Sequence, residues 1–250
     1  MGRGRNAAFN GVNVKLGIIA AMEEELLELR KRLERPRLAR RGAFVFYTGR
    51  LLGHRVTLLQ CGIGKVNAAV GTALLINEFA PERVINTGVA GGFPPDKLRV
   101  GDIVVSTEVR HHDADATIFD YEFGQIPKMP AAYYPDKRLA ALAMRALKGE
   151  KDVRGLLGQI MSGDSFIHNP RQIRDILKKF PSVMAVEMEG AAIAQTCYLF
   201  RTPFLIIRSI SDLVTADKSH KVYKASMPEA ARRSVALVLG LLEALRSEKE

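Results

Sequence analysis

The chain has 250 residues, of which 47% are hydrophobic and 26% are charged. This composition is typical of a globular protein with a sizeable core, and it excludes a mainly disordered chain, a collagen-like fibre and a disulfide-stapled miniprotein. No apolar run approaches the roughly 18 residues that a membrane span needs. The first fourteen residues lack the apolar segment of a signal peptide. We therefore expect a cytoplasmic protein without a membrane partner.

The net charge of +10 is concentrated in one segment. Residues 30–41 contain seven arginine or lysine side chains and a single acid, Glu34. A protein that binds single-stranded nucleic acid would have aromatic residues among these basic ones, and this run has none. The segment predicts a solvated helix end and loop, and no nucleic-acid partner is expected.

Neither the cysteines nor the histidines predict a metal site. Cys61 and Cys197 stand alone in the sequence, and the histidines show no ligand spacing such as HExxH. We expect buried, reduced thiols, and neither a metal nor a cofactor.

Predicted strands and helices alternate along the chain. Short apolar or alternating runs predict strands at residues 14–20, 44–49, 55–61, 83–86, 103–106, 156–161, 184–186 and 204–207. Apolar residues at helical spacing and capping signals predict helices at residues 22–33, 66–79, 137–147, 170–179, 191–200 and 228–245. No linker or repeat interrupts this order. The pattern indicates one α/β domain over residues 15–250, built around a mostly parallel or mixed sheet, with a flexible extension over residues 1–14.

In such sheets, ligands bind beyond the carboxyl ends of the strands. Three carboxylates, Glu23 to Glu25, follow the first strand, and acids in the first turn of a helix complement its dipole. Glu25 differs from the other two because, at about 100° per residue, it lies about 40° from Leu29 at the edge of the apolar stripe. A carboxylate there is either paired or functional, and this segment alone favours pairing.

The glycine-rich segment 87–92 follows the strand predicted at 83–86. Small residues would allow the backbone to approach a ligand closely, but the segment matches neither GxGxxG nor a phosphate-binding loop. A tight turn and a ligand contact both remain open for this segment.

Glu187 and Glu189 follow the strand predicted at 184–186. If that strand stays extended, the two carboxylates share one face and Met188 takes the other. Capping of the next helix explains one acid at most. This is the strongest purely physical indication of a site.

Arg208 and Asp212 follow the strand predicted at 204–207. Burial would make both charges costly unless they pair with each other or contact a ligand, and both interpretations are open. Phe166, after the strand at 156–161, is either a core residue or a stacking surface for a flat ring.

Together these strand ends predict an acidic pocket of Glu25, Glu187, Glu189 and Asp212. Carboxyl groups in differing environments suit the cleavage of a glycosidic bond through an oxocarbenium-like state. The GxSxG motif of a serine hydrolase is absent.

Nine sequence blocks, in order from residue 15 onward, resemble one family. They are GIIAAMEEE (17–25), CGIGKVNAA (61–69), NTGVAGG (86–92), VGDIVVS (100–106), HDADAT (112–117), YEFGQIP (121–127), SGDSFI (162–167), AVEMEGAAIA (185–194) and RSISD (208–212). The family is the 5′-methylthioadenosine/S-adenosylhomocysteine nucleosidases of the nucleoside phosphorylase superfamily. The resemblance implies a single α/β domain with a twisted mixed sheet flanked by helices, assembled as a homodimer. It also implies hydrolysis of 5′-substituted adenosines to adenine and the thioribose.

The resemblance assigns roles to individual residues. Glu25 would deprotonate the attacking water, and Asp212 would protonate adenine N7. Glu189 would hold the ribose hydroxyls, and Phe166 would stack on adenine. The full substrate-binding set that it implies is Met22, Gly91, Phe166, Ile167, Met188, Glu189, Arg208 and Ser211, with Phe119, Pro127 and Tyr223 from the partner subunit.

Two departures leave the preference for the 5′ group open. Val89 stands where the family often has serine, and Tyr223 stands where phenylalanine is familiar. The alternatives are a futalosine or aminodeoxyfutalosine nucleosidase, a phosphate-dependent nucleoside phosphorylase, and a catalytically silent nucleoside sensor. A phosphorylase needs cations near the end of the first strand, but no arginine follows that strand before Arg30.

Overall fold

The computed structural model describes residues 14–94, 96–149, 153–214 and 219–247. The predicted extension over residues 1–14 lies outside the described residues, except for its last residue. The strands are β1 (Lys15–Ala20), β2 (Glu34–Arg41), β3 (Phe44–Leu51), β4 (His54–Gln60), β5 (Arg83–Asn86), β6 (Val89–Gly92), β7 (Ile103–His111), β8 (Gly155–Ser162), β9 (Val183–Glu187) and β10 (Phe204–Leu213). The helices are α1 (Glu23–Lys31), α2 (Lys65–Phe79), α3 (Lys137–Leu147), α4 (Pro170–Lys179), α5 (Gly190–Leu199) and α6 (Ser219–Ser247), with a 3₁₀ turn at Thr117–Phe119.

In the described part of the chain, the strands form one mixed sheet. Its order is β2-β3-β4-β1-β5-β10-β6-β9-β8-β7, and β7 also pairs with β10. The central strands β4, β1, β5, β10 and β6 run parallel, whereas β2, β3 and the β6–β9 and β7–β10 pairs are antiparallel. The predicted α/β fold with a mixed sheet is confirmed.

Helices cover both faces of the sheet, which explains why the central strands are apolar at successive positions. Alternate side chains of a strand point to opposite faces. On β1, Leu16 and Ile18 pack with α1, α3 and α6, whereas Ile19 packs with α2 and α5. Each face therefore has its own buried layer, and the strand ends are left to form sites.

The basic segment 30–41 differs from its prediction as a helix end and loop. Helix α1 ends at Lys31, and Glu34–Arg41 forms β2, which pairs antiparallel with β3 at the sheet edge. Most of β2 is exposed, so it carries no apolar alternation by which a strand could be recognised. Charged side chains and a proline, Pro36, on an edge strand discourage pairing with another chain.

The glycine-rich segment 87–92 contains a strand, β6, in place of the tight turn that its composition suggested. It lies between β10 and β9. A Cβ on Gly91 would come within 2.6 Å of Val214 Cγ2, and one on Gly92 within 2.9 Å of Ile210 Cγ2. Glycine is required here because side chains from the neighbouring strand and its continuation occupy the space.

Strand β7 runs on from its predicted end at residue 106 to His111, and two further elements are also longer than predicted. Strand β10 continues through Arg208 to Leu213, because the charge that suggested a strand end is compensated by a buried partner. Helix α6 begins at Ser219 and carries Pro228 in its interior, not at its start. Both extensions bring residues to the same end of the sheet.

None of the helices in the described ranges is both long and apolar enough to cross a membrane.

Candidate active site

A pocket opens at the carboxyl ends of β1, β9 and β10. All four predicted carboxylates line it: Glu25, Glu187, Glu189 and Asp212. Six other predicted residues line it as well: Met22, Gly91, Phe166, Ile167, Met188 and Ser211. Strands β1 and β10 run parallel, whereas β9 runs antiparallel to β6, so the carboxyl end of β9 lies beside the start of β6 and meets the same pocket.

Glu25 is buried at the start of α1, with 3% of its surface exposed. Its Oε2 accepts hydrogen bonds from the amides of Ala21 (3.0 Å) and Met22 (2.9 Å), and its Oε1 accepts one from Val89 (3.1 Å). Burial raises the pKa of this carboxyl, although the charge of Arg208 and the three amides oppose that shift. A carboxylate offers about four lone-pair positions, so three amides fix Glu25 and leave capacity for one more donor.

Gly88 is required by this arrangement. A Cβ at this position would come within 2.6 Å of Glu25 Oε1. The strand end that binds Glu25 through the Val89 amide must therefore lack a side chain at Gly88.

Arg208, on β10, lies behind the pocket and pairs with Glu187. Its Nη2 donates to Glu187 Oε2 and to Asn86 Oδ1 (2.6 Å), and its Nη1 donates to the Ile207 carbonyl (3.0 Å). Glu187 also accepts a hydrogen bond from the Ser162 hydroxyl. Burial alone would raise the pKa of Glu187, but Arg208 and Ser162 hold that pKa below its ordinary value. Glu187 is therefore an ionised, fully committed carboxylate.

Glu189 shares the sequence motif of Glu187 but not its compensation. Its Oε1 accepts a hydrogen bond from the Gly64 amide (2.9 Å). Burial and the negative charge of Glu187 raise the pKa of Glu189 to about 7. The two acids that the sequence placed on one face are thus held in different protonation equilibria.

Asp212 stands near the end of β10, with 2% of its surface exposed. A bulge in the pairing of β10 with β6 falls between Ile210 and Asp212, and both Ser211 and Asp212 line the pocket. The Ser211 hydroxyl donates to Asp212 Oδ1 (2.9 Å). Burial raises the pKa of Asp212, and the single hydroxyl bond only partly opposes this. The protonated form is therefore favoured relative to an ordinary aspartic acid.

The position of Tyr223 differs from the one that the resemblance implied. The resemblance implied that it would come from a partner subunit, but it lines the pocket of its own chain because α6 begins before it. Its hydroxyl donates to Met22 Sδ (3.7 Å), and its ring meets that of Phe166 edge-on, with 5.6 Å between centroids. The two aromatic rings form an apolar wall beside the carboxylates.

Phe119 and Pro127 do not line the pocket of their own chain. Both are exposed, and Phe119, in the 3₁₀ turn, has 72% of its surface accessible. Their contribution from a partner subunit stays a prediction.

Sequence reasoning missed several residues that hold the charged groups. Asn86 receives a bond from Arg208, Ser162 donates to Glu187, and the Gly64 amide donates to Glu189. Polar Asn86 at the end of an apolar strand was the one available signal. No group of three or more His, Cys, Asp or Glu residues within the described ranges could hold a metal ion.

Comparisons with known proteins show the family and the fold of the chain. The family model described as "Phosphorylase superfamily" matches residues 15–243. A curated relative from Maridesulfovibrio salexigens, named 5′-methylthioadenosine/S-adenosylhomocysteine nucleosidase, is 58% identical over 232 residues, which cover 93% of this chain and 100% of the relative.

Solved structures give the same result. The 5′-methylthioadenosine/S-adenosylhomocysteine nucleosidase from Neisseria meningitidis, in complex with methylthio-immucillin-A, has a TM-score of 0.89 and 43% identity, covering 93% of this chain and 99% of its own. Futalosine hydrolase from Helicobacter pylori has a TM-score of 0.85 but 29% identity, covering 92% of this chain and 97% of its own.

Proposed function

The chain belongs to the phosphorylase superfamily, and we propose that it hydrolyses the N-glycosidic bond of 5′-methylthioadenosine and S-adenosylhomocysteine. The products are adenine and the corresponding thioribose. The family and the reaction predicted from the motifs are confirmed by relatives at high identity over nearly the whole chain. One feature of the pocket carries the residue assignments below: among the four acids that line it, Glu25, Glu189 and Asp212 have raised pKa values, while Glu187 is neutralised by Arg208.

Asp212 is the general acid in this proposal. A purine leaves poorly as an anion, and protonation at N7 makes it a neutral leaving group. Burial favours the protonated form of Asp212, and the Ser211 hydroxyl orients its carboxyl group. General-acid catalysis of this kind contributes roughly 10²–10⁴-fold to the rate.

Glu25 is the general base that positions the water. Three backbone amides hold its carboxylate, so little reorganisation is needed when a water molecule donates to the remaining lone pair. Its raised pKa makes Glu25 a stronger base than an ordinary glutamate in its ionised form.

Negative charge in the pocket stabilises the sugar during bond cleavage. Positive charge develops on the ribose as its bond to the purine lengthens, and nearby carboxylates stabilise that charge electrostatically. Glu189 supplies one such carboxylate and accepts the ribose hydroxyls, Met188 packs against the sugar, and Phe166 stacks on adenine.

Water is favoured over phosphate as the nucleophile. None of the described residues that line the pocket is an arginine or lysine. The nearest buried guanidinium, Arg208, is occupied by Glu187 and Asn86. Glu25 would repel a multiply charged anion at the position where the nucleophile must bind.

The active unit is a homodimer in this proposal. Large apolar side chains are exposed on α2 (Val66), on the 3₁₀ turn (Ile118, Phe119) and on α5 (Leu199), and exposed Ile63 links this surface to the pocket. Large exposed apolar side chains are typical of a surface that a partner covers, and a two-fold dimer is the commonest closed assembly. Phe119 and the nearby Pro127 would then complete the partner's pocket around the 5′ group.

The thiols support a cytoplasmic location. Cys61 and Cys197 are free and buried, and burial raises the pKa of both. Chains in reducing compartments retain such thiols, whereas disulfides persist in oxidising ones.

The decisive experiment is a panel of nucleosides scored by base release in phosphate-free buffer. Methylthioadenosine and S-adenosylhomocysteine should release adenine rapidly, at a rate that added phosphate does not change. Aminodeoxyfutalosine, 5′-deoxyadenosine, adenosine and inosine complete the panel. Strict dependence on phosphate, or release from aminodeoxyfutalosine alone, would reject the proposed reaction or substrate.

Sedimentation at assay concentration tests the dimer, since a fully active monomer would contradict it.

A further inference from the structure

A second cavity lies at the opposite end of the sheet from the pocket, where β1 and β4 begin. Its volume is about 490 Å³. Three cationic side chains stand in one row across three adjacent strands: Arg50 of β3 is paired with Arg55 of β4, and Arg55 is paired with Lys15 of β1. Residues directly opposite each other point to the same face of a sheet, and like charges in that position repel. The row therefore places positive charges together at an energetic cost.

The edge strand β2 adds two more cations to this cavity, Arg35 and Arg37. A register shift between Glu34 and Arg37 inserts one extra residue into β2 opposite β3, and Arg35 adopts a positive φ of 51°. A non-glycine residue in this left-handed region is uncommon, and strain of this kind concentrates at functional sites.

Two acids stand at the ends of the row: Glu34 of β2 is paired in register with Arg50, and Glu82 Oε1 accepts a hydrogen bond from the Lys15 backbone amide (3.1 Å). Within the described residues, none of the four arginines of the cavity forms an ion pair, and Glu34 is the only acid among those lining it. Arg50 donates only to the Gly53 carbonyl (3.3 Å). Other arginines are paired with acids, for example Arg41 with Glu78 and Arg233 with Glu229. Among the described residues that line the cavity, five cations stand against one acid, and Glu82 beside Lys15 reduces the local excess to three positive charges.

We propose that this arginine cavity (Lys15, Arg35, Arg37, Arg50 and Arg55) binds a polyphosphate group of a small molecule, either inorganic pyrophosphate or the diphosphate of a nucleotide. Guanidinium groups match phosphate oxygens in a two-pronged geometry, and several of them around one concavity suit adjacent phosphates. The hydroxyls of Thr48 and Thr57 line the same cavity and can donate to further phosphate oxygens.

The shape of the cavity favours a small ligand over a nucleic-acid strand. The charges surround a concavity, and Phe79 of α2, which is partly buried, is the one aromatic residue among the described residues that line it. A strand binder would instead present successive aromatic rings along a groove. A single ring can contact one base of a nucleotide.

Calorimetric titration with inorganic pyrophosphate tests the site directly. At about 0.15 M salt, where exposed charges are screened beyond about 8 Å, we expect a Kd below about 1 mM. The double variant Arg50→Gln/Arg55→Gln should weaken binding by about tenfold or more, because it removes two adjacent guanidinium groups. The matched control is Arg232→Gln/Arg233→Gln on α6, which removes the same charge from arginines paired with Glu229 and should leave binding unchanged.

Titration with UDP distinguishes inorganic pyrophosphate from the diphosphate of a nucleotide as the ligand. UDP carries uracil, so its base does not compete with adenine for the active-site pocket. Affinity equal to that of pyrophosphate assigns recognition to the phosphates alone, and clearly tighter binding, weakened by Phe79→Leu, assigns a nucleotide. The single variant Arg37→Gln, on the exposed edge strand, provides a second loss-of-binding test that does not disturb the sheet interior. The rate of adenine release monitors folding and should stay within about twofold of wild type in every variant, because the cavity and the pocket lie at opposite ends of the sheet.

The proposal is overturned if pyrophosphate and UDP both fail to bind, or if their binding is unaffected in the Arg50/Arg55 variant. It is also overturned if the control variant weakens binding equally, since that would show general attraction to a basic protein. Binding of a single-stranded oligonucleotide through Arg50 and Arg55, without binding of pyrophosphate or UDP, would assign the surface to nucleic acid instead.

Discussion

Glu187 and Asp212 are both buried acids near the carboxyl ends of strands, but their surroundings give them opposite properties. Glu187 binds Arg208, the Ser162 hydroxyl and the amide of Gly190, and its pKa is held below the ordinary value. Asp212 has one hydroxyl donor, from Ser211, and burial raises its pKa. Equal burial therefore does not imply equal chemistry. Glu187 and its donors form a compensated region, which maintains the structure of the pocket. Asp212 and its single donor Ser211 form an undercompensated region, which can exchange protons.

The largest effect is expected on removing the exchangeable proton from the undercompensated region. Asp212→Asn preserves the shape and most of the hydrogen bonding but cannot protonate the leaving purine. The kcat for methylthioadenosine should fall by roughly 10²–10⁴-fold while a transition-state analogue still binds. Steady-state kinetics and analogue titration measure both. Retention of more than about a tenth of the wild-type rate would contradict an essential acid.

The next effect tests the compensated region. Glu187→Gln leaves Arg208 buried without its counter-ion, and breaking a buried pair in this way costs about 3–5 kcal/mol of unfolding free energy. Urea denaturation measures the loss. The double variant Glu187→Gln/Arg208→Met should be destabilised by less than the sum of the two single changes. Simple additivity would show that the pair is not the stabilising unit.

The pH dependence of stability separates Glu189 from Glu187. The pKa of Glu189 is about 7 in the folded protein against an ordinary 4.5, so the folded state binds the proton more tightly than the unfolded state. This contribution is present below the unfolded pKa and is lost as pH rises from about 4.5 to about 7. Wild-type protein should lose stability over this window relative to Glu189→Gln, measured by urea denaturation at each pH. Parallel stability curves for the two proteins would disprove the raised pKa.

The smallest effect is expected at a neutral group in the same pocket. Tyr223→Phe removes a long hydroxyl–thioether contact to Met22 Sδ, and sulfur is a weak acceptor. The kcat/KM for methylthioadenosine should change by less than about threefold. Comparison with S-adenosylhomocysteine shows whether the hydroxyl reads the longer 5′ group. A loss above about tenfold for both substrates would assign Tyr223 a direct part in catalysis.

Local sequence patterns were sufficient where the residues of an element themselves show how it is buried. The apolar runs of β1 and β5 and the alternation of β4 predicted strands that form. These patterns failed where contacts with other elements determine the structure. The exposed β2 has no apolar pattern, and β6 is a strand in which Gly91 and Gly92 fit beneath Val214 and Ile210. The early end predicted for β10 at Arg208 had the same origin, because the compensating Glu187 lies on another strand.

The sequence by itself determined the alternation of strands and helices, the family, and the positions of Glu25, Glu189 and Asp212 after or near the ends of predicted strands. These follow from the order of residues along short segments. Only the tertiary structure decided which carboxyl has a lowered pKa and which carboxyls have raised ones. That distinction depends on burial and on donors far away in the chain, such as the Val89 amide on Glu25 and Arg208 on Glu187. No local pattern contains those distances, because they exist only once the strands lie side by side.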